Sequence, residues 1–304
     1  MSAVGQPSWG TWHARRQHTA PRWMLTPATL GLALVCVVPG LYTLALAFTK
    51  STLGQPLTAW AGSRNFETLV QTSDFAFTLL RTVLYAVPAC LFQLVLGLAI
   101  ALLLQALRQG RWAYSLILLP LMTPPVLVGV AWKLLLAPAG GLLNGTLLRL
   151  GWVNEPVSLL GSSTWALPAV MLTDSWQWLP FVVVLCVAAL QALPSDVYEA
   201  AALDGASPRR IFIKITLPLL APALVGIFLL RVVMSLKTFD LVYILTAGGP
   251  GRATTLASYE VWKSGLQNFD IGQAAAQTLV FCLLVAWVTW PILRTLTWVE
   301  RRTG

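Results

Sequence analysis

The sequence predicts an all-α membrane protein with six spanning helices and both termini in the cytoplasm. Three observations predict it. The 304 residues are 57% hydrophobic and only 10% charged, whereas an average soluble domain is about 45–50% apolar and about 25% charged. Six stretches are long and apolar enough to cross a bilayer: 24–48, 82–106, 112–136, 165–190, 217–246 and 274–296. With the N-terminus inside, the cytoplasmic segments and span ends hold 11 Lys and Arg and the outer loops hold 6, while Lys133, Arg231 and Lys237 fall within spans. That asymmetry is the positive-inside pattern. The net charge of +9 is therefore an orientation signal, and it calls for no nucleic-acid partner.

The elements follow in order. Residues 1–23 form a polar cytoplasmic tail with Trp9, Trp12 and Trp23 among arginines, a composition suited to lipid headgroups. The first apolar run ends at Ala45-Leu46-Ala47, which looks like a signal-cleavage site. The run is about twice the usual signal core of about 7–15 residues, so it reads as a span. Residues 49–81 form an outer loop. A short basic turn at Leu107–Arg111 makes the second and third spans a tight hairpin. The Gly- and Leu-rich loop 137–164 carries a short interfacial helix, and 297–304 is a cytoplasmic tail. Prolines inside spans (Pro39, Pro88, Pro120, Pro124, Pro125, Pro168, Pro180) predict kinks. Cys36, Cys90, Cys186 and Cys282 occupy four different spans, match no metal or redox spacing, and read as apolar packing residues. His13 and His18 give no metal assignment.

The longest cytoplasmic segment, 191–216, is dense in charge. Its chemistry predicts a short helix with Ser195 as N-cap, Asp196 and Glu199 in the first turns, three alanines (Ala200, Ala201, Ala202), and Gly205 at a left-handed C-terminal position. A second helix follows, with Ser207 as cap and Pro208 at its first position, ending before Pro218. Two readings stand for the first helix: a docking element whose small side chains admit another protein, or a solvated loop.

Polar residues inside the spans mark a second region, because a charge near the bilayer centre costs roughly 2.5–3.5 kcal/mol on insertion scales and faces the bundle interior. Asp174, Gln177, Trp178 and Phe181 fall on one face of the fourth span. Arg231, Ser235 and Thr238 repeat the pattern on the fifth, with Lys237 and Asp240 further out on the same helix. One reading is a substrate pathway, with aromatic rings stacking on apolar sugar faces. The other is structural, with Asp174–Lys237 or Lys237–Asp240 pairs holding helices together. No phosphate-binding G-x-x-x-x-G-K-[ST] loop, acid/base pair, nucleophile constellation or metal cluster is present, so the chain reads neither as an ATPase nor as another enzyme.

Glu199-Ala200-Ala201, Asp204-Gly205-Ala206, Ile215 and Leu217-Pro218 resemble the EAA loop of permease subunits in ABC importers. Phe239-Asp240-Leu241, Leu245-Thr246, Gly248-Gly249-Pro250 and Asn268-Phe269-Asp270 with Gly272 and Ala274 resemble the maltose-type sugar permeases, binding-protein-dependent inner-membrane components. So do Gly97-Leu98, Pro120, Trp132, Gly141-Leu142-Leu143-Asn144, Trp176-Gln177-Trp178 and Pro180-Phe181. The resemblance covers about residues 25–295. It implies a type I ABC importer permease fold and a coupling helix. In that helix Glu199, Ala200, Ala201, Asp204, Gly205 and Ala206 meet a separate ATPase. It also implies a second homologous permease subunit, two ATP-binding subunits that hold ATP and magnesium, an extracytoplasmic solute-binding protein, no cofactor on this chain, and a sugar or sugar-like solute crossing the inner membrane. Arg81 stands where relatives often carry Asn, and Lys237 where a small or amide residue is expected; both bear on the solute more than on the mechanism. The alternatives are a permease for glycerol phosphate or another organic solute, and an ATP-independent secondary transporter or channel. The last would need no docking helix, and no inverted repeat is visible.

Overall fold

The computed structural model describes residues 25–71, 74–106 and 111–303. The N-terminal tail 1–23 and the body of the turn 107–110 lie outside the described residues. Helix α1 (Thr26–Ala47) leads into a two-stranded hairpin, β1 (Thr49–Thr52) and β2 (Gln55–Trp60), with Thr49 opposite Trp60, and then into α2 (Arg64–Gln71). Helix α3 (Asp74–Ala106) has 33 residues, about 50 Å at 1.5 Å per residue, so it begins eight residues before the expected span and takes up the end of the outer loop. Helices α4 (Arg111–Met122), α5 (Pro125–Leu135), α6 (Leu142–Arg149) and α7 (Ala166–Gln191) follow. Beyond them lie α8 (Ser195–Leu203), α9 (Pro208–Ile211), α10 (Leu217–Leu236), α11 (Asp240–Leu245), α12 (Ala257–Trp262) and α13 (Ile271–Thr303). Among the described residues, α1, α3, α7, α10 with its leading segment, and α13 are long and apolar enough to cross a membrane, and the bent pair α4–α5 makes a sixth candidate.

Four sequence expectations are corrected. The span 112–136 is two helices bent by 96°. Pro124 and Pro125 remove two backbone donors, and a residue before proline is pushed out of the helical region, so the chain breaks at Thr123. The span 217–246 is also two helices. At its outer end Lys237 and Thr238 donate to the i−3 carbonyls of Met234 and Ser235, which tightens and ends α10 before α11 begins. The helix after Ser207 does not stop before Pro218. A π turn over Phe212–Thr216 joins α9 to α10, and the Leu217 amide reaches back to Phe212 O. The wider turn shifts the register just where proline lacks its donor. The sixth helix continues to Thr303, through most of the expected tail.

One other local feature matches the sequence reading, and the reading of the four cysteines as packing residues holds for two of them. The loop 137–164 holds the short helix α6, pinned by Asn144, which donates to Ala137 O (3.2 Å) and Val157 O (3.0 Å) and accepts from the Val157 amide. Cys90 and Cys186 are buried packing residues, whereas Cys36 and Cys282 lie on the exposed surface.

The bundle is built around α3, α7 and α10. Tyr85, Ala86 and Cys90 from α3 pack with Val170 from α7 and Val232 and Leu236 from α10. Deeper toward α8, Ala101, Val182, Cys186, Leu220 and Leu224 form a second cluster. Small residues set the α3–α7 spacing: a Cβ at Gly97 would lie 2.7 Å from Val182 Cγ1. Gly97→Leu is therefore expected to force these helices apart and destabilise the bundle by about 1–3 kcal/mol or more. A lowered melting temperature of the detergent-extracted chain, compared with Gly145→Ala, where nothing lies within 4 Å, measures it.

Candidate functional site

Two regions carry chemistry. The first is the segment 191–216. Helix α8 begins at Ser195 with Pro194 in the cap position, so Ser195 is the first helical residue and not the expected cap. Its hydroxyl donates instead to Asp196 Oδ1 at 3.3 Å. The C-terminus is closed by a paired motif: the Ala206 amide donates to Ala201 O (3.0 Å) and the Gly205 amide to Ala202 O (3.1 Å), with Gly205 at φ +65. This is the Schellman arrangement, which needs a left-handed residue at that position. Ala201 faces inward, while Glu199, Ala200, Asp204 and Gly205 are exposed and Ala206 is half-buried. Leu203 is 89% exposed and Val197 is also exposed, an unusual display of apolar surface on a helix of nine residues. Tyr198 ties the helix back to the bundle through its hydroxyl, which donates to Thr216 Oγ1 at 3.1 Å.

The second region is a cavity of about 220 Å³ between α5, α7 and the α10–α11 break. Asp174, Gln177, Trp178, Arg231, Lys237, Thr238 and Asp240 all line it. Phe181 sits one turn away with its ring edge-on to Trp178 (centroids 6.0 Å apart), and Ser235 is buried without lining the cavity. Thr238 does not share a helical face with Arg231 and Ser235, because α10 ends at Leu236. It reaches the cavity from the non-helical turn that follows.

The charges pair differently from either expected arrangement. Asp174 bonds to Arg231, not to Lys237: Arg231 Nη2 lies 2.5 Å from Asp174 Oδ2, and each residue is 1% exposed. Gln93 of α3 joins them. Its Nε2 donates to Asp174 Oδ2 (2.9 Å) and to Ser175 Oγ (3.2 Å), and its Oε1 accepts from Arg231 Nε (2.7 Å). The guanidinium also lies over the Trp178 ring, 5.0 Å from its centroid, a favourable cation–π distance. Lys237 and Asp240 are exposed at the cavity. Gln177 donates to Thr123 O at 3.1 Å, which occupies a carbonyl freed by the proline break. Among the described residues, Asp174 Oδ1 and Gln177 Oε1 are buried without a hydrogen-bond partner.

Sequence reasoning missed Gln93. Its signal was a lone amide inside the apolar run Cys90-Leu91-Phe92-Gln93-Leu94-Val95. Also unread was the outer clasp, where Arg252 pairs with Glu260 (3.0 Å) and Asp74 (3.6 Å) while Arg81 Nη1 donates to Thr255 O (3.1 Å). That contact gives Arg81 a structural place outside the cavity. Among the described residues no group of His, Cys, Asp and Glu has the geometry of a metal site.

Residues 93–304 match the family described as binding-protein-dependent transport system inner membrane component. The chain belongs to that family. It is a permease subunit of an ABC importer in the inner membrane. It is not itself an enzyme, since ATP hydrolysis resides on a separate subunit. The chain is 33% identical over 265 residues to the trehalose/maltose transport system permease protein MalF of Thermococcus litoralis (86% of this chain, 89% of the relative). It is 32% identical over 293 residues to the sulfoquinovosyl glycerol transport system permease protein SmoG of Agrobacterium fabrum (95% of this chain, 94% of the relative). Its fold matches a chain of a bacterial alginate ABC transporter, solved in complex with an alginate pentasaccharide-bound periplasmic protein, at TM-score 0.75 and 22% identity. That match covers 93% of this permease and 94% of the solved chain.

Breaking the buried pair from one side is expected to be costly. Asp174→Leu or Arg231→Met alone leaves an uncompensated charge and should destabilise by roughly 3–5 kcal/mol, while the double substitution should recover most of that loss. Thermal melts of the four purified forms measure the difference.

Proposed function

We propose that this permease imports a sugar or sugar-like solute along the cavity between α7 and the α10–α11 break, driven through α8 by ATP bound with magnesium on partner ATPases. The observation that carries the reading is the convergence of Asp174, Gln177, Trp178, Arg231 and Thr238 on one cavity inside an apolar bundle. An aromatic face beside hydrogen-bonding groups is the chemistry that takes a polyhydroxy solute: the ring packs on C–H faces and the polar groups bind hydroxyls. The relatives named for trehalose/maltose and sulfoquinovosyl glycerol support the class. Lys237, exposed at the cavity, is the observation favouring a second reading, an organic phosphate or other anionic solute.

In this reading α8 is the coupling helix. Glu199, Ala200, Asp204 and the exposed Leu203 meet a groove on the ATPase, with Ala201 and Ala206 supporting the helix from behind. A second homologous permease completes the translocation path. Two ATP-binding subunits close on ATP, and an extracytoplasmic solute-binding protein delivers the solute. Both termini lie in the cytoplasm, on the side of α8. Closure of the ATPases pushes α8 and rocks the permeases between inward-open and outward-open states.

Tagging the chain in its native membrane and extracting it gently is expected to co-purify a P-loop ATPase and a second EAA-bearing permease. A lone chain or a homo-oligomer after gentle extraction would overturn the proposed partner set. Gly205→Asp, at φ +65, should distort the end of α8 and abolish ATP-dependent uptake while leaving solute binding by the external protein unchanged. Uptake that survives this change at the wild-type rate would separate transport from the helix.

A further inference from the structure

The cavity wall contains a guanidinium, yet the way it is held removes its net charge from the solute. Arg231 is matched by Asp174 at 2.5 Å. Gln93 then fixes the two against each other, with its carbonyl on Arg231 Nε and its amide on the same Asp174 oxygen that receives Arg231 Nη2. Gln93 is fully buried on α3 and does not line the cavity. It acts through the pair. Without it, Arg231 Nε and one Asp174 lone pair would lose a partner in a low-dielectric interior, where such groups seek another one at a cost comparable to the lost bond. The remaining charges at the cavity, Lys237 and Asp240, are one of each sign and exposed, so their fields are weakened by water and by each other.

We propose that Gln93 is a positioning residue that locks Arg231 to Asp174, so that the cavity presents an electroneutral wall selecting uncharged hydroxyl-bearing groups over anionic ones. The proposal rests on the cavity being the solute pathway. It assigns to α3 a part in solute choice, although no α3 side chain touches the cavity. Asp174 Oδ1 and Gln177 Oε1, buried behind the wall, add acceptors and no positive charge to this side of the cavity.

The test uses the whole complex, purified with its partner subunits in lipid nanodiscs and saturated with ADP so that the nucleotide sites are filled. Glucose and glucuronate are the probes, differing by a carboxylate, and binding is read as ligand-dependent thermal stabilisation. The wild type is expected to respond to glucose at least as strongly as to glucuronate. Gln93→Leu should gain an apparent affinity for glucuronate about tenfold tighter than wild type, equivalent to about 1.4 kcal/mol. Asp174→Asn, which removes the countercharge outright, is the positive control. If Gln93→Leu fails to assemble, Gln93→Met, unbranched and of similar length, replaces it. A loss of melting temperature in Gln93→Leu with no gain in glucuronate response, while Asp174→Asn does respond, would make Gln93 merely structural and overturn the proposal. A wild type that prefers glucuronate would overturn it too, leaving the pathway reading intact. Silence toward both probes in every form would remove the pathway reading itself and the proposal with it.

Discussion

The architecture depends on placing one guanidinium and one carboxylate inside a hydrocarbon-thick bundle. Moving either ion alone into such a medium costs several kcal/mol even after relaxation. The cost is tolerable here because the ions meet at 2.5 Å and a buried amide supplies the next bonds. The three residues come from three different helices, α3, α7 and α10. Their hydrogen bonds therefore act as directional ties in a region where apolar side chains gain little by choosing each other over lipid. The packing of Gly97 against Val182 continues the same α3–α7 contact toward α8. Polar ties near the cavity and close backbone approach deeper in hold one pair of helices by two different means.

Around that centre, α7 runs unbroken while the other helices that line the cavity flank a break. The α4–α5 break and the α10–α11 break both free carbonyls at membrane depth, and each is answered by a side chain. Gln177 covers Thr123 O and Ser258 covers Thr238 O at 2.5 Å, and at the far end of α11 Lys133 donates to Ile244 O at 2.9 Å from the neighbouring helix. Non-helical backbone is tolerated in a bilayer only where protein or a cavity replaces the missing bonds. The same breaks that expose polar backbone also turn Lys237, Thr238 and Phe239 toward the cavity. Interruption of the helices and the polarity of the cavity are one feature seen twice.

Much of this was legible in the sequence, and the failures have physical causes. The membrane class and the apolar segments were readable because hydropathy over 20 residues integrates many weak signals. The C-terminus of α8 was readable because only a residue like Gly205 closes a Schellman motif cheaply. The membership of the cavity was largely readable, since Asp174, Gln177 and Trp178 share a helical face. The partner of Asp174 was not, because pairing across helices depends on depth and rotation, which one-dimensional spacing does not encode. Lys237 is one of the two partners that spacing offers. Arg231 holds the place because it projects from α10 itself, whereas α10 ends at Leu236 and leaves Lys237 on the exposed turn at the cavity. Ser195 was misread as a cap because serine is favoured at that position in general, whereas Pro194, with extended φ and ψ, already starts the helix. Gln93 escaped because an uncharged amide hardly lowers the hydropathy of its window, and its importance lies entirely in what it faces.

The π turn at Phe212–Thr216 makes α9 and α10 one continuous rod from the α8–α9 segment to the ion pair. Leu217 and Arg231 are separated along it by about 21 Å of helix. Such a rod behaves as a lever arm. A tilt of about 10° at the α9 end displaces the guanidinium by roughly 3–4 Å over that length, more than the reach of a hydrogen bond. In the coupling reading proposed above, a displacement of the α9 end would reach the cavity as a change in which polar atoms face one another.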